Sequence, residues 1–305
     1  MVTTQHKDQN TQQRSESFGI FLKILSVLAF AIMGGLIKHL DGSIPLGQVV
    51  FFRSAVALIP LMIFLMWVSD FPSGLKTKNP WGHVTRCVIG TCAMFSAFKV
   101  LELLPLAEAT ALNYLNPIFL VVLAMLFLKE QVSIRRWLGV GFGIAGLLLI
   151  TIPKFSLAAY GSQSMYGIGL GVLTALLIAA AMLQVRQLTQ MGENPGAITF
   201  YFAITSTVMG AVVMLASINS NGILMPEPWQ LACLIGIGLI GGLAQISMTL
   251  AFKYAQASAL APFDYLAIVF SVIIGFVAFD ELPDTMFWLA MPLILLGAMV
   301  ARGRG

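Results

Sequence analysis

The sequence predicts an all-α integral membrane protein whose ten transmembrane helices form two inverted five-helix repeats. The chain is 58% hydrophobic and only 10% charged, with a mean hydropathy of +0.90, whereas soluble domains carry about 25% charged residues. It contains about ten apolar runs of the length that crosses a bilayer. Its two halves also resemble each other at one fixed offset. The bilayer must therefore be the main solvent for this surface.

The apolar runs alternate with short polar loops, and a spanning helix needs roughly 20 residues. The predicted spans are residues 18–40, 46–68, 84–104, 107–128, 136–152, 166–188, 197–218, 230–252, 257–279 and 285–301. The chain then divides into five parts. Residues 1–17 form a cytoplasmic polar tail, predicted to be disordered, and residues 18–152 form the first repeat. Residues 153–165 are a linker, residues 166–301 the second repeat and residues 302–305 a short cytoplasmic tail.

Positive charge is distributed unevenly between the two sides. If the N-terminus is cytoplasmic, 13 of the 17 Lys and Arg residues lie inside and three outside, with Arg53 left within the membrane. The opposite orientation would violate the positive-inside rule, so we expect a multi-pass inner-membrane protein with both termini in the cytoplasm. This topology also explains the net charge of +4, and we expect no nucleic-acid partner.

A shift of 151 residues aligns the second half of the chain with the first. At this offset three rarer residue types agree: Tyr114 with Tyr265, Glu130 with Glu281, and Trp137 with Trp288. Each repeat holds five spans, an odd number, so the second copy crosses the membrane in the opposite direction. Inverted repeats are typical of secondary transporters, whose binding site lies near the midplane between the halves. The repeat therefore predicts transport by alternating access.

The segment from Leu103 to Ile150 reads LLPLAEATALNYLNPIFLVVLAMLFLKEQVSIRRWLGVGFGIAGLLLI. It resembles the EamA domain of the drug/metabolite transporter superfamily, with a polar-proline turn at Asn116 and Pro117, an acidic residue at the end of the span, and a glycine-rich fifth span. The second copy keeps Glu281 but lacks the matching proline. The resemblance covers nearly the whole chain and implies ten helices around a central cavity. It also implies export of amino acids or other metabolites, or import of compounds such as riboflavin or S-adenosylmethionine.

Two charged residues lie within predicted spans. A charge at a helix centre costs on the order of 2.5–3.5 kcal/mol to insert, so we expect Arg53 to face the bundle interior. It could bind a substrate carboxylate or phosphate. Alternatively, it could form a structural ion pair or extend towards the outer face of the membrane. Asp264 could bind a cationic amine or carry a coupling proton, or be a salt-bridged structural residue. Because Arg53 enters from the opposite face, Asp264 is expected to be free to titrate.

Several amides and phenols are candidates for the same cavity. Such groups fix the orientation of polar ligands in apolar pockets, although hydrogen bonding between helices is an equal alternative. These substrate-binding candidates are Asn113, Tyr114, Asn116, Gln184, Tyr201, Gln245 and Tyr265.

Charged residues near span ends are candidates for gates. Glu130 and Glu281 close equivalent spans on opposite sides, and could latch the inner and outer gates or simply stabilise the helix ends. Lys99 should lie near the outer end of the third span with Glu102, where it could line an entrance or extend into the interface. Lys38 and His39 occupy the same region at the end of the first span.

Other classes of function lack their motifs. Two matches to G-x-G-x-x-G, at residues 141–146 and 236–241, lie inside apolar spans, where close helix packing explains them better than a dinucleotide. The chain has no Walker A motif, no metalloprotease motif and three isolated cysteines. We therefore expect no cofactor, no metal and no enzymatic activity. An intramembrane enzyme and a receptor or scaffold are the alternatives. The expected partners are a small-molecule substrate, the lipid bilayer and protons as a candidate coupling ion.

The charge asymmetry predicts that both termini are cytoplasmic. A reporter that is active only in the cytoplasm should be active when fused after Gly305, and one that needs export should be silent there. The reverse pattern would contradict the topology.

Overall fold

The computed structural model describes residues 2–67, 72–128, 134–156, 162–216, 223–255, 260, 263–264 and 266–302. Nearly all of this described chain is α-helical. Its helices are α1 Val2–His39, α2 Leu46–Trp67, α3 Pro80–Leu103, α4 Leu106–Asn113, α5 Asn116–Leu128, α6 Ile134–Ser156, α7 Ser162–Gln190, α8 Pro195–Ala216, α9 Pro228–Tyr254, α10 Leu266–Phe279 and α11 Thr285–Arg302.

Seven stretches of described helix are long and apolar enough to cross a membrane: Ser17–His39, Leu46–Trp67, Pro80–Leu103, Leu106–Phe127, Met165–Gln190, Gly196–Ala216 and Pro228–Ala251. Three shorter apolar helices, Trp137–Leu149, Leu266–Phe279 and Thr285–Gly297, fall on the fifth, ninth and tenth predicted spans. The prediction of an all-helical, multi-pass membrane protein is confirmed. Of the ninth predicted span, the described helix α10 begins at Leu266, and most of residues 256–265 lie outside the described residues.

The polar residues before Phe18 belong to α1, which begins at Val2. The prediction that this tail is disordered is therefore wrong for the residues from Val2 onwards. Residues 2–17 contain no glycine or proline and are rich in Gln, a good helix former. A helix already nucleated by the apolar part of α1 extends into such a sequence at little cost.

The fourth predicted span is broken into two helices. Helix α4 ends at Asn113 and α5 begins at Asn116, so Tyr114 and Leu115 leave the regular helix. Proline at the second position of α5 starts the new helix easily, because its missing N–H would have no intrahelical partner there. In the second half, Asp264 lies in a tight turn just before α10. It stands 151 residues after Asn113, so the helix break of the first half and this turn of the second half occupy equivalent repeat positions.

Close packing joins helices from the two halves of the chain. Helix α1 packs against α9, α3 against α7, α2 against α8, and α6 against α11. The two glycine-rich motifs lie in these contacts. A Cβ at Gly238 would lie 2.5 Å from Cβ of Val56, and one at Gly146 would lie 3.0 Å from the carbonyl oxygen of Ala290. The predicted packing role of these glycines is confirmed at both positions.

A buried carboxylate joins the loop before α3 to the turn between α7 and α8. Oε1 of Glu193 accepts hydrogen bonds from the backbone N–H groups of Lys78 and Asn79, at 2.9 and 3.1 Å, and from the Thr77 hydroxyl at 3.0 Å. Its Oε2 lies 3.1 Å from Nε2 of His83. Burial alone would raise the pKa of Glu193, but these hydrogen bonds outweigh it and hold the pKa below its ordinary value.

The substitution Glu193→Gln should destabilise the protein at neutral pH by about 2 kcal/mol, because hydrogen bonds to a charged group are lost. Since the pKa of Glu193 is lowered by folding, its carboxylate stabilises the protein above the unfolded-state pKa, and that contribution is lost as the pH falls through the folded-state pKa. Thermal unfolding in detergent should thus show a difference between wild type and variant that shrinks below about pH 4. Asp41→Asn, at an exposed loop position with positive φ, is the control and should change stability little. A difference that stays constant with pH would contradict the charged role.

Candidate functional site

Two adjoining cavities occupy the middle of the bundle. We call the first, of about 340 Å³, the broken-helix cavity, because it is lined by residues of the break between α4 and α5 and of the turn before α10. We call the second, of about 830 Å³, the arginine cavity, because Arg53 and Arg86 line it. Both volumes lie near or within the range of small-molecule sites. The cavities share the lining residues Phe30, Ala97, Phe98 and Met248.

The broken-helix cavity holds three of the predicted polar residues. Asn113 and Asn116 flank the break and line the cavity, and Oδ1 of Asn116 is buried without a hydrogen-bond partner among the described residues. The Tyr114 hydroxyl donates to the carbonyl oxygen of Asp264, which ties the two interrupted spans together. The hydroxyls of Thr110 and Ser271 meet at 2.8 Å across the same pair of spans. Polar side chains are thus concentrated in and beside the break between α4 and α5 and the turn before α10.

Asp264 is paired with a lysine from α1. Nζ of Lys23 lies 2.6 Å from Oδ1 of Asp264, and the two side chains are 3% and 31% exposed. The expectation that Asp264 stands apart from other charges is therefore wrong. Sequence reasoning counted Lys23 only as a cytoplasmic charge for topology, and so missed it. The alternative interpretation of Asp264 as a salt-bridged residue agrees with this contact, and the pair also lines the cavity.

The arginine cavity contains two guanidinium groups with buried, unpartnered nitrogens. Arg53 is only 8% exposed, and its Nε has no hydrogen-bond partner in the described part of the chain. Nε and Nη1 of Arg86 are likewise buried without a partner, while its Cζ lies 4.5 Å from the ring centre of Phe202. The predicted candidate Gln245 adds an amide to this lining, and Thr199 adds a hydroxyl.

Arg86 is the second residue that sequence reasoning missed. Like Lys23, it was assigned to the cytoplasmic side because it lies near the start of a span. The repeat contained a usable signal, because the residue 151 positions after Arg86 is Ile237 and the one after Arg53 is Ile204. The scaffold that the two halves share therefore does not require a cation at either position.

The remaining candidates lie elsewhere. Neither Gln184 nor Tyr201 is among the described residues that line the two cavities. The Tyr201 hydroxyl donates to the carbonyl oxygen of Leu75 at 2.7 Å, and its ring lies 4.9 Å from that of His83. Tyr201 therefore holds the loop before α3. Tyr265 lies outside the described residues.

A second ion pair closes the end of the bundle where α1 ends. Nζ of Lys38 lies 2.9 Å from Oε1 of Glu281 and also donates to the carbonyl oxygen of Leu104 at 2.9 Å. Oε2 of Glu281 accepts from the backbone N–H of Leu106, a residue that lines the broken-helix cavity. This cluster therefore links α1, the start of α4 and the residue just after α10.

The other two gate candidates contribute less to this picture. Nζ of Lys99 pairs with Oε2 of Glu102 at 2.7 Å, three residues along the same helix. Such a pair does not join one helix to another. Glu130 lies outside the described residues.

The fold and the cavities define a multi-pass helical membrane protein with a solute-sized site at its centre. The family model of the EamA-like transporter family matches residues 17–152 and 165–303. The chain therefore belongs to this family, and the resemblance noted in its sequence is confirmed.

Its relatives are named transporters of small metabolites. The chain is 29% identical over 289 residues to the pseudopaline exporter of Pseudomonas aeruginosa, covering 94% of this chain and 96% of that protein. It is 30% identical to the riboflavin transporter of Brucella anthropi, over 83% and 86% of the two chains. It is 29% identical to the S-adenosylmethionine uptake transporter of Rickettsia bellii, over 90% of each chain. A solved crystal structure shares the fold, with a TM-score of 0.64 and 20% identity over 94% of this chain and 96% of that one. The predicted class, a small-metabolite transporter, is confirmed, and these names favour a non-enzymatic role.

Removal of one partner of the Lys23–Asp264 pair should leave a buried charge without compensation. We expect Asp264→Asn to lower the free energy of unfolding by about 3 kcal/mol, and the added substitution Lys23→Met to restore much of the loss. The same cycle on the partly exposed pair Lys99 and Glu102, which lies within one helix, should give a smaller coupling, below about 1 kcal/mol. Thermal or denaturant unfolding in micelles measures both cycles. Strictly additive losses at Lys23 and Asp264 would contradict a coupled pair.

Proposed function

We propose that the protein is a secondary transporter that moves a small amphipathic metabolite across the inner membrane by alternating access. The observation that carries this proposal is a pair of adjoining solute-sized cavities, one of which is lined by the helix break after Asn113 and by the turn at the equivalent repeat position in the second half. Discontinuous helices at the midplane are the usual binding-site element of secondary transporters. An enzyme would need a reactive constellation, and a receptor would not need two adjoining cavities along the bundle.

The proposed architecture has ten spans in two inverted repeats, at residues 18–152 and 166–301, with both termini inside. The helix contacts support it. The contact of α1 with α9 joins the first span of one half to the third span of the other, and the contact of α3 with α7 is its mirror. The α2–α8 and α6–α11 contacts join equivalent spans. A two-fold axis in the membrane plane requires this pattern of exchange.

Exchange of conformations between the halves would then switch access from one side to the other. In this scheme the cluster of Lys38, Glu281 and the Leu106 backbone forms the outer closure. Glu130, the repeat mate of Glu281, is proposed to play the same part at the inner side. Opening the outer side would break the Lys38–Glu281 pair, so the two access states would differ in ion pairing and a substrate could bias them.

The proposed substrates are metabolites of the amino-acid, riboflavin or S-adenosylmethionine class. Cavity volume and lining support this range, because a few polar groups lie in mainly apolar walls. Asn113, Asn116 and Gln245 can orient a planar polar molecule, and Phe98 lies between the two cavities. The names of the relatives supply the riboflavin and S-adenosylmethionine classes.

Protons are the proposed coupling ion, through the Lys23–Asp264 pair. Protonation of Asp264 would cancel its attraction to Lys23 and loosen the contact between α1 and the turn before α10. Coupling follows if the pair is intact in one access state and separated in the other, because the proton affinity of Asp264 then differs between the states.

We expect Asp264→Asn to abolish pH-dependent accumulation while leaving exchange of substrate across the membrane intact. The assay is uptake of riboflavin, S-adenosylmethionine or an amino-acid mixture by proteoliposomes, with and without a pH gradient. Asp280→Asn, an exposed residue just after α10, is the matched control and should behave as wild type. Gradient-dependent accumulation by folded Asp264→Asn protein would remove the coupling role. No flux of any solute by the wild type would instead count against transport itself.

A further inference from the structure

The arginine cavity has an unbalanced charge. Among its described lining residues, Arg53 and Arg86 are the charged side chains, and no carboxylate accompanies them. Together the two adjoining cavities are lined by three cations, with Lys23, against the single carboxylate of Asp264. The excess of two positive charges lies in the interior of a membrane protein, where unpaired charge is costly.

A purely structural role does not account for the two guanidiniums. Structural arginines inside a bundle bind carboxylates or backbone carbonyls, whereas Nε of Arg53 and both Nε and Nη1 of Arg86 have no hydrogen-bond partner among the described residues. Each buried donor left unpaired costs about 1–3 kcal/mol. Such donors are retained at sites where a ligand completes the hydrogen bonding.

One glycine makes room for the Arg86 side chain, and its repeat mate lies beside Arg53. Gly90 and Gly241 are 151 residues apart, and each lies beside one of the arginines. A Cβ at Gly90 would collide with Nη1 of Arg86, and one at Gly241 would lie 3.6 Å from Nε of Arg53. The Phe202 ring, 4.5 Å from Cζ of Arg86, restrains the plane of that guanidinium. Both arginines belong to the first repeat, and Phe202 and Gly241 of the second repeat lie beside them.

We infer that the arginine cavity selects substrates that carry two anionic oxygen groups, carboxylates or phosphates, one bound by Arg53 and the other by Arg86. The inference rests on the proposed transport function and narrows its substrate class. Guanidinium binds either group through two parallel hydrogen bonds. The apolar body of such a molecule would pack on Phe98, Phe202 and Met248, which line the same cavity. Two anionic groups would cancel the excess charge of the two cavities.

Pairs of probes that are similar in size but differ in charge test whether the cavity selects anionic groups. Succinate and succinamide differ in their two anionic groups, and riboflavin 5′-phosphate and riboflavin differ in one phosphate. We expect succinate and riboflavin 5′-phosphate to raise the unfolding temperature of the purified full-length protein and to bind at least about tenfold more tightly than their uncharged partners. Equal binding within both pairs would overturn the inference. A response to riboflavin 5′-phosphate without a response to succinate would also overturn it, because a single anionic group would then suffice.

Substitution of each arginine tests the residues themselves. Arg53→Gln and Arg86→Gln should each weaken the charged probes about tenfold to a hundredfold, and the conservative Arg→Lys changes should be intermediate. Arg186→Gln, at an exposed position near the end of α7, is the control and should leave affinity unchanged. Without ligand, Arg53→Gln should be at least as thermostable as wild type, because it removes a charge without a partner. A structural arginine would give the opposite result, which would overturn the inference.

Flux measurements keep this inference distinct from the proposed function. If proteoliposomes transport riboflavin or amino acids equally with and without both arginines, transport stands and the dianion site is wrong. If charged probes bind in an arginine-dependent way but no solute crosses the membrane, the dianion site stands and the transporter proposal is wrong. Arginine-dependent flux of succinate or riboflavin 5′-phosphate supports both.

Discussion

Charge and unpaired backbone cannot be left in hydrocarbon, and this constraint places most of the polar features of the molecule. Where α4 gives way to α5 the backbone leaves the helix, and it does so beside a cavity lined by Asn113 and Asn116. Lys23 is buried, and Asp264 is its partner. The only interior cations that escape pairing in the described chain, Arg53 and Arg86, face a cavity of about 830 Å³. Among the described residues, interior cations are therefore either paired or directed at a space that a solute can fill.

The spans and the family could be predicted from the sequence because hydropathy and the 151-residue repeat are local or linear properties. The transporter class followed from them. The tail before Phe18 was misjudged because polarity was taken as disorder, although residues 2–17 lack helix breakers and continue a stable helix.

The partners of the charged residues could not be predicted in the same way. Lys23 and Arg86 fit the positive-inside rule. Because topology alone explained their charge, their position in the cavities was not predicted. Tyr201 looked like a cavity residue, but its hydroxyl is used by the carbonyl of Leu75 in a distant loop. Such pairings depend on how α1 packs on α9 and how α3 packs on α7, and linear patterns carry no direct record of helix packing.

The repeat itself separates scaffold from site. Positions that agree between the halves, such as Gly146 with Gly297, serve packing that both halves need. Positions that disagree carry the chemistry: Arg53 and Arg86 have isoleucines as repeat mates, and Asp264 is matched by Asn113. A two-fold scaffold can alternate between two faces with the same packing, but a metabolite has no such symmetry. Its binding groups must therefore come from residues present in one copy only, and Arg53, Arg86 and Asp264 are three charged mismatches that line the two cavities.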